Sequence, residues 1–471
     1  MSVIFGKSTR GQPTVIYHGF EYIKDRDNVN GTVAWRCQFY KSMKCKTRLV
    51  TLDDRVISEK QLEHTHSGNK SKSMARKAVG EMKSAMSDMT VTPSSSQANV
   101  SVGLEDRVLQ ALPKRRTLSR SLQRYRSKVV QADNRGNPLP ALPSDLHFDI
   151  PNQFADMILY DSGPGDDRII IIGCNQLLDG LARADVWLAD GTFKVVPSVF
   201  FQLYSIHFNF SDGLNPASIY CLLPCKTENT YNRALAEIHR LIPSAAPVKI
   251  LVDFEKAAMN AFSSAYPQAV VTGCYFHLCQ SVIRKVSEIG LKQTYENDDE
   301  VCEYVRCLAA LAFVPQDGVI DAFEILAESM PPNVDNLDVL TSFFEHTYIR
   351  GHRLRGRGNA HGPAQFSIDS WNQYTAGIEG IARTTNAVEG WHHGLQSLYS
   401  CHHPTVWTFL TGLKKDMQHQ KSCFLQGVAG VAMPCKKRYR IVKERVTNAV
   451  SAFGRAEVLV YLRSIAHLSH A

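Results

Sequence analysis

The chain has 471 residues, 44% of them hydrophobic, with a formal net charge of +8 and 12 cysteines, a length that suggests two to four domains and a charge that favours a polyanionic partner. No run of uninterrupted apolar residues is long enough to span a bilayer, and the opening MSVIFGKSTRGQPTV lacks an apolar core followed by a small-residue cleavage pattern, so membrane insertion and secretion are not expected. In an intracellular protein, cysteines without framework spacing point to reduced thiols or metal ligands rather than disulfides.

Residues 14–66 mix short period-two runs with aromatics, as in VIYHGFEYIKD, VAWRCQFY, KCKTRLVTL and DRVISEKQLEH, which predicts a sheet of three or four strands. So small a module buries too little apolar surface to be stable unaided. Cys37 and Cys45 are followed by His64 and His66, which alternate around Thr65. Two thiolates and two imidazoles suit a closed tetrahedral zinc site, and a structural zinc would supply the missing staple. Arg36, Lys41, Lys44, Lys46 and Arg48 interleave with Phe39 and Tyr40, a mixture suited to phosphate contact and stacking on double-stranded DNA.

Residues 67–103 are Ser-rich and poor in large apolar side chains, and read as a flexible linker, with a polar helix over part of the segment as the alternative. From 104 to 147 the pattern turns helical and basic. Lys114, Arg115, Arg116, Arg120, Arg124, Arg126 and Lys128 follow one another with no acidic residue between them. Arg116, Arg120 and Arg124 recur every four residues and share one helix face. Such a concentration of like charge predicts a second DNA contact, with a plain solvated face as the alternative.

Residues 148–400 read as α/β, a mixed sheet covered by helices and interrupted by a helical insertion at about 295–380. The insertion ends in the basic run IRGHRLRGRGNAHGP, with Arg350, Arg353, Arg355 and Arg357 as candidate duplex contacts. Residues 401–471 are expected to form a helical C-terminal segment. Asp190 ends the strand VWLAD with Gly191 behind it, where a backbone can approach a ligand closely. Asp253 ends the strand VKILVD and is also a candidate helix cap. Ligands of open sheets gather beyond the carboxyl ends of strands. Glu389 falls in the first turns of a helix for which Asn386 is a plausible cap. Spacing alone does not bring the three carboxylates together, but if they converge they repel one another, and magnesium or manganese resolves that conflict. Cys274 and His277 have the separation of two metal ligands without a second pair nearby, and are expected to support the carboxylate cleft rather than form a separate zinc site.

At these residues the chain resembles two families. FEYIKDRDNVNGTVAWRCQFYKSMKCKTRLV with the later HTH resembles the FLYWCH-type zinc finger, whose aromatics and ligands fall at Phe20, Tyr22, Trp35, Cys37, Cys45, His64 and His66. LADGTFKVVPSVFFQLYSIH, ILVDFEKAAMNAF, GCYFHLCQSV and RTTNAVEGWHHGLQS resemble the MULE (Mutator-like element) transposase domain over about 150–400. The second resemblance implies a ribonuclease H-like core that cuts and pastes DNA. It implies Asp190, Asp253 and Glu389 as the catalytic, metal-holding carboxylates, and Cys274 and His277 as the family's Cys-x-x-His element. A nuclear protein that binds zinc and duplex DNA, and self-associates to hold two DNA ends, follows from both. Two other functions are compatible with the same residues: a domesticated transposase that binds DNA or chromatin without cutting, and a ribonuclease H-like nuclease acting on another nucleic acid.

Overall fold

A computed structural model describes the chain apart from residues 1–2, 9–11, 61–62, 89–90, 133–140, 212, 355–359, 400, 432–436 and 469–471. It divides into two compact units, 1–141 and 142–471.

The first unit opens with strands β1 (Ile4–Lys7), β2 (Pro13–Tyr17), β3 (Phe20–Asp27), β4 (Val33–Cys37), β5 (Arg48–Leu52) and β6 (Arg55–Lys60), which form a six-stranded antiparallel sheet in chain order. The expected three or four strands undercount this sheet. VIYHGFEYIKD is two strands hinged at His18 and Gly19, whose φ values of 48° and 80° are both left-handed, the backbone of a tight hairpin turn. β1 is an additional strand ahead of residue 14. The core beneath the sheet gathers Val15, Tyr22, Trp35 and Leu49 with the two cysteines.

The segment 67–103 corrects the expected linker. Lys70–Ala85 (α1) and Pro93–Ser101 (α2) are helices, followed by Asp106–Gln110 (α3) and Arg115–Ala132 (α4). Asn69 caps α1 by accepting the Lys72 N–H, and Thr92 caps α2 in a reciprocal box with Ser95. Few large side chains are needed because the packing surface is narrow: Val79, Met82 and Met86 meet Leu118 and Leu122 of α4. Arg76 of α1 also pairs with the buried Glu21 of β3 at 2.6 Å. Gly80 lets α1 lie close on β1, since a Cβ there would fall 2.5 Å from the Lys7 carbonyl oxygen. Gly80→Ala is therefore expected to push α1 off the sheet at about 1–3 kcal/mol, seen as faster amide exchange across residues 70–85. Unchanged exchange would show that the contact yields without cost.

The second unit is built on β7 (Ile158–Asp161), β8 (Ile170–Gly173), β9 (Val186–Thr192), β10 (Gln202–Phe208), β11 (Ala217–Leu223), β12 (Lys249–Val252) and β13 (Val270–Gly273), in the spatial order β13-β12-β9-β10-β11-β8-β7. β12 runs parallel to β9 and β13, and the other pairings are antiparallel. β10 and β11 are buried at every position, as strands covered on both faces must be. β7 and β8 were not foreseen. Their connection is held by the buried Arg168, which grips Asp161 at 2.6 and 2.8 Å and donates to the carbonyls of Leu146 and Phe148.

Asn175–Ala182 (α5), Glu228–Leu241 (α6), Lys256–Ala265 (α7) and Tyr275–Glu288 (α8) accompany the strands. Lys292–Asn297, Asp299–Ala310, Val319–Glu328, Leu337–Phe344 and Tyr374–Glu379 (α9–α13) intervene before Asn386–Tyr399 (α14). Val406–Val428 (α15), Lys437–Val450 (α16) and Val458–Leu468 (α17) complete the unit. α15 packs on β11, α5 and α14, and α17 packs on α10 and α11. A buried lysine ties the end of the intervening helices to the sheet: Lys249 Nζ donates to Gln373 Oε1 at 3.1 Å and to the Ala382 carbonyl at 3.3 Å, and Gln373 Nε2 donates to the Gly273 carbonyl. The strand ends at β12 and β13 are thereby fixed relative to the lead-in of α14.

Candidate metal centres

Among the described residues two groups of side chains could each hold a metal ion. The first is Cys37, Cys45, His64 and His66, whose donor atoms all lie within 4.8 Å of one another. Cys37 ends β4, Cys45 follows a short turn, and the two imidazoles arrive after β6. Cys37 Sγ lies 3.1 Å from His66 Nε2, and Cys45 Sγ lies 3.4 Å from His64 Nδ1. The remaining ring nitrogens are occupied, His64 Nε2 by the Tyr22 hydroxyl at 3.0 Å and His66 Nδ1 by the Ser67 carbonyl at 3.2 Å. That outer shell orients each ring. Phe20 stacks on His64 with centroids 3.6 Å apart, and Phe39 meets His66 edge-on. Burial pushes the Cys37 thiol up to about 12. Burial also opposes ionisation of Cys45, but the Thr47 hydroxyl and nearby backbone N–H groups outweigh it and bring that thiol down to about 5. Two buried sulfurs and two oriented imidazoles fit a structural zinc ion.

The second group is Asp190, His277 and Glu389, again with one donor atom from each within 4.8 Å of the others. Asp190 is buried in β9, His277 lies in the first turn of α8, and Glu389 lies in the first turn of α14. His277 Nε2 faces Glu389 Oε1 at 3.3 Å. Burial, with Arg284 adding to it, pushes the imidazole down to about 4, so at neutral pH the pair is a neutral ring facing a carboxylate rather than an ion pair. Asp253 lies outside this group, yet it belongs to the same neighbourhood. Asp190 is held well above the usual carboxylate range by burial, then by the charge of Asp253 and by that of Glu389, against the N–H of Gly191. Burial and Glu255 push Asp253 up to about 6, and burial raises Glu389. Asp253 Oδ1 is buried with no hydrogen-bond partner among the described residues. Carboxylates raised by burial, one of them also by the charges of its two neighbours, with an oxygen left unsatisfied, fit a divalent cation.

Several expected supporting roles change. Asp253 is not a helix cap, since Glu255 occupies the position before α7. Asn386 is the first residue of α14 rather than its cap. Thr385 precedes it, and its carbonyl accepts the N–H groups of Val388 and Glu389. The space beside Gly191 is taken by Gln202, whose Oε1 would lie 2.8 Å from an added Cβ. Cys274 has a definite part. Its sulfur accepts the N–H and hydroxyl of Thr385 at 3.1 and 3.3 Å, together with the backbone N–H groups of Phe276 and His277, so one buried atom joins the first turn of α8 to the start of α14.

Two residues beside the site were missed. His392 Nδ1 lies 3.7 Å from Asp190 Oδ2, and burial together with neighbouring histidines pushes its ring down to about 3. Asp416 of α15 accepts from Trp391 Nε1 at 2.9 Å and from the Tyr220 hydroxyl at 3.1 Å, locking the rotation of α14. The three-residue step from Glu389 to His392, which places both on one helix face, was the available signal; nothing local marks Asp416.

The basic residues fall into two sets. Arg116, Arg120 and Arg124 are exposed on α4, opposite the buried Leu118 and Leu122, and Lys44 and Lys46 are exposed on the first unit. Arg36 and Arg48 both pair with Asp25, at 3.4 and 3.1 Å. Arg126 donates to the carbonyls of Met86, Asp88 and Val91. Arg350 is held by Glu345 at 2.6 Å and Glu324 at 2.8 Å, which engages the guanidinium within the intervening helices. Arg353 sits in a backbone bridge with His361, and Arg355 and Arg357 lie outside the described residues.

The FLYWCH zinc finger domain model matches residues 5–66, and the MULE transposase domain model matches residues 186–281. The chain thus carries an N-terminal FLYWCH zinc-finger domain followed by a MULE transposase domain. The first match takes in β1, which explains why it begins ahead of residue 14. The second contains Asp190, Asp253, Cys274 and His277 and ends within α8; Glu389 and Asn386 lie beyond it. No curated protein matches the chain.

Proposed function

From a FLYWCH zinc-finger domain followed by a MULE transposase domain, we propose that this chain is a nuclear DNA transposase-like enzyme. In this reading the zinc-held module and α4 bind duplex DNA, and Asp190, Asp253 and Glu389 form the catalytic site for phosphodiester cleavage and strand transfer. The observation that carries it is the approach of a strand-borne and a helix-borne carboxylate, Asp190 and Glu389, far apart in sequence, beside a third buried carboxylate with an unsatisfied oxygen. The run β11-β10-β9-β12-β13, antiparallel strands followed by parallel ones, supports a ribonuclease H-like core, with β8 and β7 added at one edge.

Magnesium or manganese held by the three carboxylates would activate the attacking water or 3′ hydroxyl and stabilise the departing oxygen. The protein supplies the placement. Asp190 is fixed within β9 and accepts the Gly191 N–H at 2.7 Å. Glu389 is presented by α14, whose start is tied to Cys274 and whose rotation is set by Asp416. The buried, neutral rings of His277 and His392 add no positive charge to compete with a cation. Synapsis of two DNA ends calls for at least two copies of the chain.

DNA binding through α4 has its own test. Replacing Arg116, Arg120 and Arg124 together by Gln is expected to reduce the slope of log affinity against log salt by about 2.7, at about 0.9 per phosphate contact, and to weaken unrelated sequences alike, because phosphates carry no sequence information. An unchanged slope would make this a solvated face. The whole reading is tested by metal-dependent cleavage of duplex DNA: tight binding without cleavage would favour a domesticated DNA-binding regulator, and cleavage confined to RNA a different nuclease.

A further inference from the structure

The proposed carboxylates are hard oxygen donors, the set that magnesium takes. The side chains that converge most closely are a different set, because His277 stands with Asp190 and Glu389 while Asp253 remains outside. The ring is not there by the chance swing of an exposed side chain. His277 is mostly buried, with 20% of its side chain exposed, and it sits in the first turn of α8. Its backbone N–H is held by the Cys274 sulfur, which also holds Thr385 before α14. The imidazole and the Glu389 carboxylate are therefore mounted on helices fastened to a common atom, and face each other at 3.3 Å. Among the described residues His277 Nδ1 has no hydrogen-bond partner, so the polar contact of the ring is the one its Nε2 makes toward Glu389.

An imidazole changes what the site prefers. Magnesium keeps oxygen ligands and water, whereas first-row transition ions accept nitrogen readily and bind N/O sites more tightly. We propose that His277 is a direct ligand of the divalent ion at the Asp190 and Glu389 site, and that this nitrogen makes the site bind a first-row transition ion, manganese included, more tightly than magnesium. The inference rests on the reading of these carboxylates as a metal site and specifies the ion that site takes.

The test uses the full chain with its finger already loaded with zinc, titrated with manganese and followed by the paramagnetic resonance of the unbound ion. One further manganese is expected to bind, with magnesium competing at least about tenfold more weakly. Electron spin-echo measurements on the bound manganese should show the modulation of a directly coordinated imidazole nitrogen. His277→Gln should abolish that modulation and weaken manganese by at least about tenfold, leaving magnesium affinity within about twofold. Bound manganese without nitrogen modulation in the unaltered chain, or an unchanged preference in His277→Gln, overturns the proposal while leaving the carboxylate site standing. If neither ion binds, or if Asp190→Asn leaves both affinities unchanged, the metal reading itself fails and the proposal with it. The spin-echo result on the unaltered chain needs no variant to fold.

Discussion

Stripping zinc from the chain is expected to unfold the β1–β6 sheet while the second unit keeps its structure. Structural zinc contributes about 10–16 kcal/mol to folding in small modules at neutral pH, against a net stability of about 5–15 kcal/mol for an entire domain. Here the cysteines are part of the core with Trp35 and Leu49, so losing the ion leaves buried sulfurs and imidazoles with no partner of comparable strength. Cys37→Ser should have the same effect. The affinity should also depend on pH in a defined direction. Without zinc the module is unfolded and both thiols ionise near the ordinary thiol value of about 8.5, so zinc must displace a proton from each, and affinity rises with pH and falls as pH falls, by about tenfold per unit for each proton released. Competition with a chelator between about pH 7 and 8 should therefore give a slope near two protons per zinc. A slope near zero, or amide dispersion that survives full chelation, would contradict this account of the site.

Asp190→Asn is expected to cut cleavage by more than about 100-fold, the upper range for disturbing even an indirect partner of a metal ligand, while duplex binding stays within about twofold because phosphate contacts dominate it. Turnover on a defined duplex and its binding curve check the two halves separately. The same substitution should raise the melting temperature of the metal-free protein. Burial and the charges of Asp253 and Glu389 hold the Asp190 carboxyl above its unfolded value, so the folded state binds more protons than the unfolded one and ionisation at neutral pH opposes folding. Stability accordingly declines as pH rises through that interval, and Asn removes the cost. Equal loss of binding and cleavage would mean that Asp190 supports the fold rather than the reaction.

How much of this was legible depended on whether a residue's partner was near it in sequence. The zinc ligands could be read because a small sheet rich in aromatics needs a staple and the thiols and imidazoles were all within reach. Asp190 and Asp253 stood out as candidates because the first lies near the end of the apolar strand β9 and the second directly follows β12. A helix within 67–103 was an alternative, but its packing was not visible because α1 packs through Ala75, Ala78, Gly80 and Met82, mostly small residues that conceal an apolar face. β7 was missed because its pairing with β8 depends on Arg168 reaching back to Asp161 and to the backbone at Leu146. The exchange of Asp253 for His277 in the closest cluster was not visible either. It comes from the Cys274 sulfur joining two helices that are separated by the whole set α9–α13, a contact no local pattern encodes. Arg350 stood out as a duplex contact in a basic run; the structure pairs it with Glu345, five residues earlier, and with Glu324 of α11.

The proposed function requires that this chain cut DNA with Asp190, Asp253 and Glu389. The most direct measurement is cleavage of a duplex bearing candidate terminal repeats from the DNA on either side of the coding sequence, in magnesium or manganese, by the unaltered chain and by Asp253→Asn, with binding measured in parallel. The account predicts nicks at the repeat ends that require the metal, vanish with chelator and are lost in Asp253→Asn while binding persists. Cleavage undiminished in Asp253→Asn would remove that carboxylate from the site, and binding without cleavage in either metal would contradict the enzyme.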